Sequence, residues 1–241
     1  PWSLGQKIQA AMITIADRHL GELLDTLSDP DGDGETSDSI LEQTIVFFTS
    51  DNGGTSNTAY PRNGSLKGYK TSLYEGGLRV PLIVSWPGRI PAGRVTHEIA
   101  ATIDIFPTLA HLAGARVPTD RIIDGRDISP LLLAEPGARS PHQVRYYEVE
   151  GVRRGPWKLV KPPKGKLELY NLQTDLGEKN DLASRFPERV AELKALLDQH
   201  AAALKANRRP AAFVKHPKPL LQTAEGVPRL RDYLQDQNRR P

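Results

Sequence analysis

Two short apolar runs place the strongest constraint on the fold of this chain. Residues 44–49 read TIVFFT and residues 80–86 read VPLIVSW, and neither run contains a charged side chain. Strands this uniform are typical of sheets that are covered on both faces. Helical patterns flank them at residues 8–27 and 102–114, so the sequence predicts an α/β fold with a mostly parallel sheet and flanking helices.

Both predicted helices carry end signals. Ser3 and Gln6 have the spacing of a capping box, which indicates that the first helix begins there. In the later helix Asp104 can cap, Pro107 lies in the first turn and Gly114 ends the pattern. The first helix has apolar residues on one side, and we expect that side to pack on the sheet: Ile8, Met12, Ile15, Leu20, Leu23 and Leu27.

The pattern changes near residue 138. Residues 143–151, 155–161 and 166–172 are short strand-like segments between Gly and Pro turns, which predict an antiparallel meander. Residues 187–206 follow with a helical pattern that has Val190, Leu193, Leu197 and Leu204 on one face. We therefore divide the chain into a part of an α/β domain (1–138), a small antiparallel sheet with a packed helix (139–206) and a basic, Pro-containing tail (207–241).

The positive charge of the chain is concentrated in that tail. From Lys205 onward there are nine Lys and Arg against three Asp and Glu, so the first 204 residues carry a net charge of −3. This distribution favours a solvated extension over an arm that binds polyanions, and it argues against a nucleic-acid-binding protein. No apolar run approaches the roughly 18 residues of a membrane span. The absence of cysteine excludes a disulfide, Cys-ligated zinc and a thiol nucleophile within these residues.

The end of the first apolar run is the candidate site. Ligands of open α/β sheets bind beyond the carboxyl ends of the strands, where Asp51 and Asn52 lie. A carboxylate and an amide oxygen suit Ca²⁺ or Mg²⁺, although further carboxylates must complete the coordination. The sequence DNGG alone favours an Asx turn over a metal site. The Gly-rich segment 63–79 changes that balance, because it can bring Lys70 beside Asp51 and so form a site for a sulfate or phosphate ester.

Several motifs in a fixed order then point to a family. The chain contains FTSDNGG, GYKTSLYEGGLRVPLIVSWPG, TIDIFPTLAHLAGA, DGRDISPLL, GPWKLV and LELYNLQTDLGEKNDLA. In this order and at these intervals, roughly residues 5–200 closely resemble the sulfatase family of the alkaline phosphatase superfamily. The resemblance implies an alkaline phosphatase-like α/β fold. Family members commonly act outside the cytoplasm.

The resemblance also implies particular roles. Asp51 and Asn52 correspond to two ligands of a metal, for which we expect Ca²⁺ with Mg²⁺ as the alternative, and Lys70 corresponds to a lysine that contacts the sulfate. Glu75 and Arg79 look like a buried structural pair. Sulfatases cleave sulfate esters with a formylglycine nucleophile, which is made from Cys or Ser in a C/S-x-P/A-x-R motif.

The chain departs from the family in what it lacks. The nucleophile motif, two adjacent metal-binding aspartates and a Lys/His/Arg set belong to the N-terminal half of the family, which these 241 residues do not contain. We therefore expect the C-terminal half of an enzyme that hydrolyses sulfate monoesters, on a sulfated small molecule or glycan, and no activity from this half alone. Two alternatives remain: a phosphoesterase or phosphonate hydrolase of the same superfamily, and a truncated, non-catalytic module that binds metal or polyanions.

One further acidic segment invites a metal reading. Residues 29–34, DPDGDG, open like a calcium-binding EF-hand loop, but position twelve of such a loop would be Ile40 instead of a bidentate Glu. We therefore predict a polar surface loop.

Overall fold

The computed structural model describes residues 2–55, 63–163 and 165–208. Its elements are α1 (Leu4–Ser28), a 3₁₀ turn (Leu41–Gln43), β1 (Val46–Thr49), α2 (Glu75–Leu78), β2 (Leu82–Ser85), a 3₁₀ turn (Thr102–Asp104), α3 (Ile105–Leu112), α4 (Ser129–Leu132), β3 (Val144–Tyr147), β4 (Gly151–Arg154), β5 (Trp157–Val160), β6 (Glu168–Asn171) and α5 (Pro187–Ala206). One compact unit extends to Ala202 and a second begins at Ala203. Except for residues 207 and 208, the predicted basic tail lies outside the described residues.

Helix α1 begins at the predicted capping box. The N–H of Ser3 donates to Oε1 of Gln6 (2.8 Å), and the N–H of Gln6 donates to Oγ of Ser3 (3.3 Å). No residue of α1 is buried by the described residues, and Met12 is 65% exposed. The expectation that α1 packs on the sheet is therefore wrong for this part of the chain: local signals set the helix, and within the described ranges its apolar side is only partly covered, at Leu20, Leu24 and Leu27. Neither of the long helices described is apolar enough to cross a bilayer.

Strands β1 and β2 pair with each other, and they run antiparallel. Val46 lies opposite Ser85 and Thr49 opposite Leu82. The predicted parallel arrangement is not seen for this pair. Parallel neighbours need a crossover, usually a helix, whereas the only helix between β1 and β2 in the described residues is the four-residue α2. The strands are also less buried than predicted, since Ile83 is 61% exposed.

Helix α3 follows a 3₁₀ turn and ends near Gly114, whose φ of +67° is the left-handed conformation common after helices. Asp104 lies at the N-cap position of α3, but its side chain does not make the predicted capping hydrogen bond. Its fully buried carboxylate instead accepts hydrogen bonds from the N–H groups of Ala101 and Arg126, both at 2.8 Å. Nε2 of His142 also lies 2.8 Å from this carboxylate. Asp104 thus joins α3 to two later loops.

The second sheet is an antiparallel meander in the order β3-β4-β5-β6, as predicted. It has four strands because a turn at residues 148–150 divides the first predicted segment. Helix α5 has the predicted bounds, and its Leu193 and Leu197 are buried against Val152, Leu159 and Leu169. Leu204, at the far end of α5, is 43% exposed. The division of the chain at residue 138 stays a prediction.

Candidate metal and sulfate site

Asp51 and Asn52 follow β1 directly. The Asp51 side chain is exposed, and Asn52 is partly buried. Oδ1 of Asn52 is buried and has no hydrogen-bond partner among the described residues. An unsatisfied buried oxygen costs about 1–3 kcal/mol, so its presence beside a carboxylate fits a ligand atom for a hard cation such as Ca²⁺.

Gly53, the residue after Asn52, packs tightly on α2. The N–H of Gly53 donates to the carbonyl oxygen of Gly77 (3.0 Å), and a Cβ on Gly53 would lie 1.7 Å from the carbonyl oxygen of Gly76. No side chain fits in that space. The glycine therefore allows two backbone segments to touch, and this contact fixes the residues that follow Asp51 and Asn52.

Lys70 lies in the segment that precedes α2, and its side chain is exposed. Its N–H donates to the carbonyl oxygen of Gly54 (2.8 Å), and the N–H of Gly54 donates to Oδ1 of Asn63 (2.8 Å). The structure thus brings the Lys70 backbone to the segment that carries Asn52. Whether Asp51 and Asn52 bind metal and Lys70 contacts sulfate stays a prediction.

The residue after Lys70 has an unusual backbone conformation. Thr71 has a φ of +76°, in the left-handed region that β-branched residues rarely adopt. Such residues cost about 1–3 kcal/mol and cluster at ligand sites and switch regions. The strain at Thr71 is therefore consistent with a functional position for Lys70.

Glu75 and Arg79 form the predicted structural pair, with Nε of Arg79 donating to Oε2 of Glu75 at 2.7 Å. Sequence reasoning missed the other partners of Glu75. The fully buried ammonium of Lys158 donates to Oε1 of Glu75 (2.8 Å) and lies 2.9 Å from Oε1 of Glu178. In the sequence, the feature that could have indicated a buried, paired lysine is the position of Lys158 within the otherwise apolar strand segment 157–160.

The two carboxyls of this cluster respond differently to burial. Burial by itself would raise the pKa of Glu75, but Lys158 and Arg79 together lower it below its ordinary value. Burial raises the pKa of Glu178 above its ordinary value, although Lys158 acts in the opposite direction. The difference follows from the pairing, because among the residues described Glu75 has two cationic partners and Glu178 has one.

A second cluster links the Lys70 segment to β6. Nζ of Lys67 donates to the hydroxyl of Tyr170 (2.8 Å) and lies 3.9 Å from the centre of the Tyr74 ring. The hydroxyls of Tyr74 and Tyr170 both donate to Oε2 of Glu168, at 2.8 and 2.6 Å. Burial, followed by these bonds to Glu168, raises the pKa of both tyrosines.

The acidic segment after α1 forms the predicted polar loop. Carboxylate oxygens of Asp29, Asp31 and Asp38 lie within 4.8 Å of one another. The carboxylate of Asp29 accepts hydrogen bonds from the N–H groups of Gly32 (2.9 Å) and Gly34 (3.0 Å). These bonds account for the local turn.

Comparisons with known proteins agree on one family. Residues 9–115 match the Sulfatase family model, and residues 68–207 match the model of the C-terminal region of N-sulphoglucosamine sulphohydrolase. A sulfatase of Formosa agariphila is 36% identical over 198 residues, which are 74% of this chain and 35% of that protein.

Solved structures give the same result. The crystal structure of Ps i-CgsB in complex with k-i-k-neocarrahexaose is 28% identical, with a TM-score of 0.67 over 88% of this chain and 46% of that one. BT4656 in complex with its substrate D-glucosamine-2-N,6-O-disulfate is 26% identical, with a TM-score of 0.60 over 81% and 40%. These similarities support the α/β, alkaline phosphatase-like class, although no parallel sheet occurs among the described residues. The chain spans less than half the length of each of these relatives, and it belongs to the sulfatase family.

Proposed function

We propose that this chain supplies Asp51, Asn52 and Lys70 to the active site of a sulfatase that hydrolyses sulfate monoesters. One observation carries the proposal beyond family membership: the buried Oδ1 of Asn52, which no described residue hydrogen-bonds, belongs to the segment to which the Lys70 backbone is hydrogen-bonded. A cation ligand and an ammonium group on adjoining segments are the groups that would hold the negative oxygens of a sulfate ester.

Asp51 and Asn52 would hold Ca²⁺, or Mg²⁺ as the alternative. When bound, the ion would withdraw negative charge from the sulfuryl oxygens. Asn52 would supply a neutral oxygen and Asp51 an anionic one. Ca²⁺ takes six or more oxygen ligands. The remaining ligands must therefore come from other residues. Lys70 supplies a positive charge that does not depend on the metal.

The nucleophile in this proposal lies outside the chain. Formylglycine would come from the part of the sulfatase fold that the relatives contain and this chain does not match. The exposed apolar residues of α1 and β2 support a covering by that part, because Met12 and Ile83 are each more than 60% exposed. The chain by itself would therefore be inactive.

A sulfated carbohydrate is the proposed substrate. Two similar structures hold carbohydrate ligands. Ps i-CgsB is in complex with k-i-k-neocarrahexaose, and BT4656 is in complex with its substrate, D-glucosamine-2-N,6-O-disulfate.

The test is a hydrolysis assay on the protein that joins this chain to the rest of the sulfatase fold, with a sulfate ester and the matching phosphate ester as substrates. We expect Asp51→Ala and Lys70→Ala each to reduce sulfate hydrolysis by about 100-fold or more, because both lose charge stabilisation in the transition state. Lys166→Ala, at an exposed lysine of the other sheet region, is the control. Near-normal turnover by Asp51→Ala would contradict the proposal. Faster hydrolysis of the phosphate ester would favour a phosphoesterase. If neither ester is hydrolysed, the result would favour a non-catalytic module.

A further inference from the structure

The buried ammonium of Lys158 links the C-terminal sheet to the segment that carries Asn52. Lys158 is on β5, and its side chain has no exposed surface. It contacts the carboxylates of Glu75 and Glu178, at 2.8 and 2.9 Å. Oε2 of Glu178 also accepts a hydrogen bond from the N–H of Glu75 at 2.6 Å. A buried charge is stable only when it is paired, so these contacts hold the first residue of α2 in one place.

From Glu75 the contacts continue to the candidate site through the backbone. Glu75 begins α2, and α2 contains Gly77, whose carbonyl oxygen accepts the hydrogen bond from Gly53. Gly53 is the residue after Asn52. The path from Lys158 to Asn52 therefore crosses one ion pair and one backbone hydrogen bond, and Gly53 leaves no space for adjustment against Gly76.

A second path reaches Lys70 from the same sheet. The carbonyl oxygen of Lys67 accepts a hydrogen bond from the N–H of Gly76 (2.7 Å), and Nζ of Lys67 donates to Tyr170 on β6. The segment that carries Asn52 is thus connected to β5, and the segment that carries Lys70 is connected to β6.

We propose that Lys158 and Glu178 are positioning residues. Through α2 they keep Asn52 and Lys70 in a fixed position relative to each other, without contacting substrate. The catalytic purpose of this fixed arrangement rests on the proposed function. The coupling between Lys158 and the segments of Asn52 and Lys70 can be measured without metal or substrate. This role explains a buried lysine better than stability alone, because buried ion pairs often stabilise a fold no better than apolar residues of similar volume.

The test is amide hydrogen exchange in the 241-residue chain with EDTA present. For Lys158→Met we expect the amides of Gly53 and Lys70 to exchange about tenfold faster or more, while those of Val152 on β4 and Leu193 on α5, in the core between the second sheet and α5, change little. Lys161→Met, at an exposed lysine just after β5, is the matched control and should change neither pair.

Two outcomes would overturn the inference: unchanged exchange at Gly53 and Lys70, or equal acceleration of all four amides, which indicates a loss of stability alone. If Lys158→Met does not fold, Lys158→Met/Glu178→Gln removes one positive and one negative charge and leaves Glu75 paired with Arg79. The same selective acceleration is expected there. The hydrolysis assay with Asp51→Ala decides the proposed function separately, since the exchange result does not depend on it.

Discussion

The N–H of Lys70 donates a hydrogen bond to the carbonyl oxygen of Gly54, with an N···O distance of 2.8 Å. This bond joins the residues after β1 to the residues before α2, which are separated along the chain by a segment outside the described ranges. It gives a structural reason for two sequence motifs of the family to occur together, because each motif supplies half of the contact.

The contact between Gly53 and α2 predicts an intolerant position. We expect Gly53→Ala to lower the free energy of unfolding by about 3 kcal/mol, because its Cβ would overlap the carbonyl oxygen of Gly76. Urea denaturation measures this. Gly21→Ala is the control: Gly21 lies inside α1, no described atom is within 4 Å of a Cβ there, and the change should stabilise the protein by about 0.5–1 kcal/mol. Equal effects of the two substitutions would contradict the described packing.

Oδ1 of Asn52 lacks a hydrogen-bond partner in the part of the chain that the structure describes, and this predicts an unusual response when the amide is removed. In EDTA, Asn52→Leu should leave the free energy of unfolding unchanged or raise it by about 1 kcal/mol, because it removes an unsatisfied buried oxygen. The control is Asn63→Leu. Oδ1 of Asn63 accepts from Gly54 and its Nδ2 donates to Gly68 (3.0 Å), so this change should cost about 2 kcal/mol. A large loss of stability from Asn52→Leu would mean that its amide has a structural role.

Tyr147 predicts a loss of stability in alkali. Burial, with a smaller contribution from Glu75, raises the pKa of Tyr147 to about 12. Between pH 10 and 12 the unfolded chain loses this proton and the folded chain keeps it, so stability should fall as pH rises, by about 3 kcal/mol in total. Unfolding measured from pH 9 to 12 should show a smaller decrease for Tyr147→Phe. Tyr69→Phe, at an exposed tyrosine, should retain the decrease of the parent protein.

His200 predicts a loss of stability in mild acid. Its ring stacks on Tyr146 with centroids 4.0 Å apart, and burial lowers the pKa of His200 below its ordinary value of 6.5. The unfolded chain therefore binds the proton first as pH falls. The stabilisation is present above pH 6.5 and is lost below it.

Unfolding between pH 5 and 7.5 tests this expectation. His200→Gln should reduce the pH dependence in that range. His19→Gln, on an exposed position of α1, should not. Identical pH dependence in both variants would show that His200 does not titrate differently in the folded state.

Local signals predicted those parts of the fold that short-range interactions decide. The capping box at Ser3 and the bounds of α5 follow from side chains within one or two helical turns, and the meander follows from its Gly and Pro turns. The pairing of β1 with β2 could not be predicted in this way, because strand direction depends on partners far along the chain.

The site shows the same division. A strand end and the family motifs point to Asp51, Asn52 and Lys70, and the family resemblance points to the pairing of Glu75 with Arg79. Lys158 was missed because lysine is almost never fully buried unless it is paired, and its two carboxylates lie 83 and 20 residues away in the sequence. Only the folded chain shows that pairing.

The close backbone contact at Gly53 also limits how enzymes built on this scaffold can acquire new substrate preferences. Main-chain atoms fill the space around that glycine, so an enlarged residue there would displace the neighbouring Asn52. Diversification by mutation, natural or in a selection library, must therefore act at positions other than this glycine.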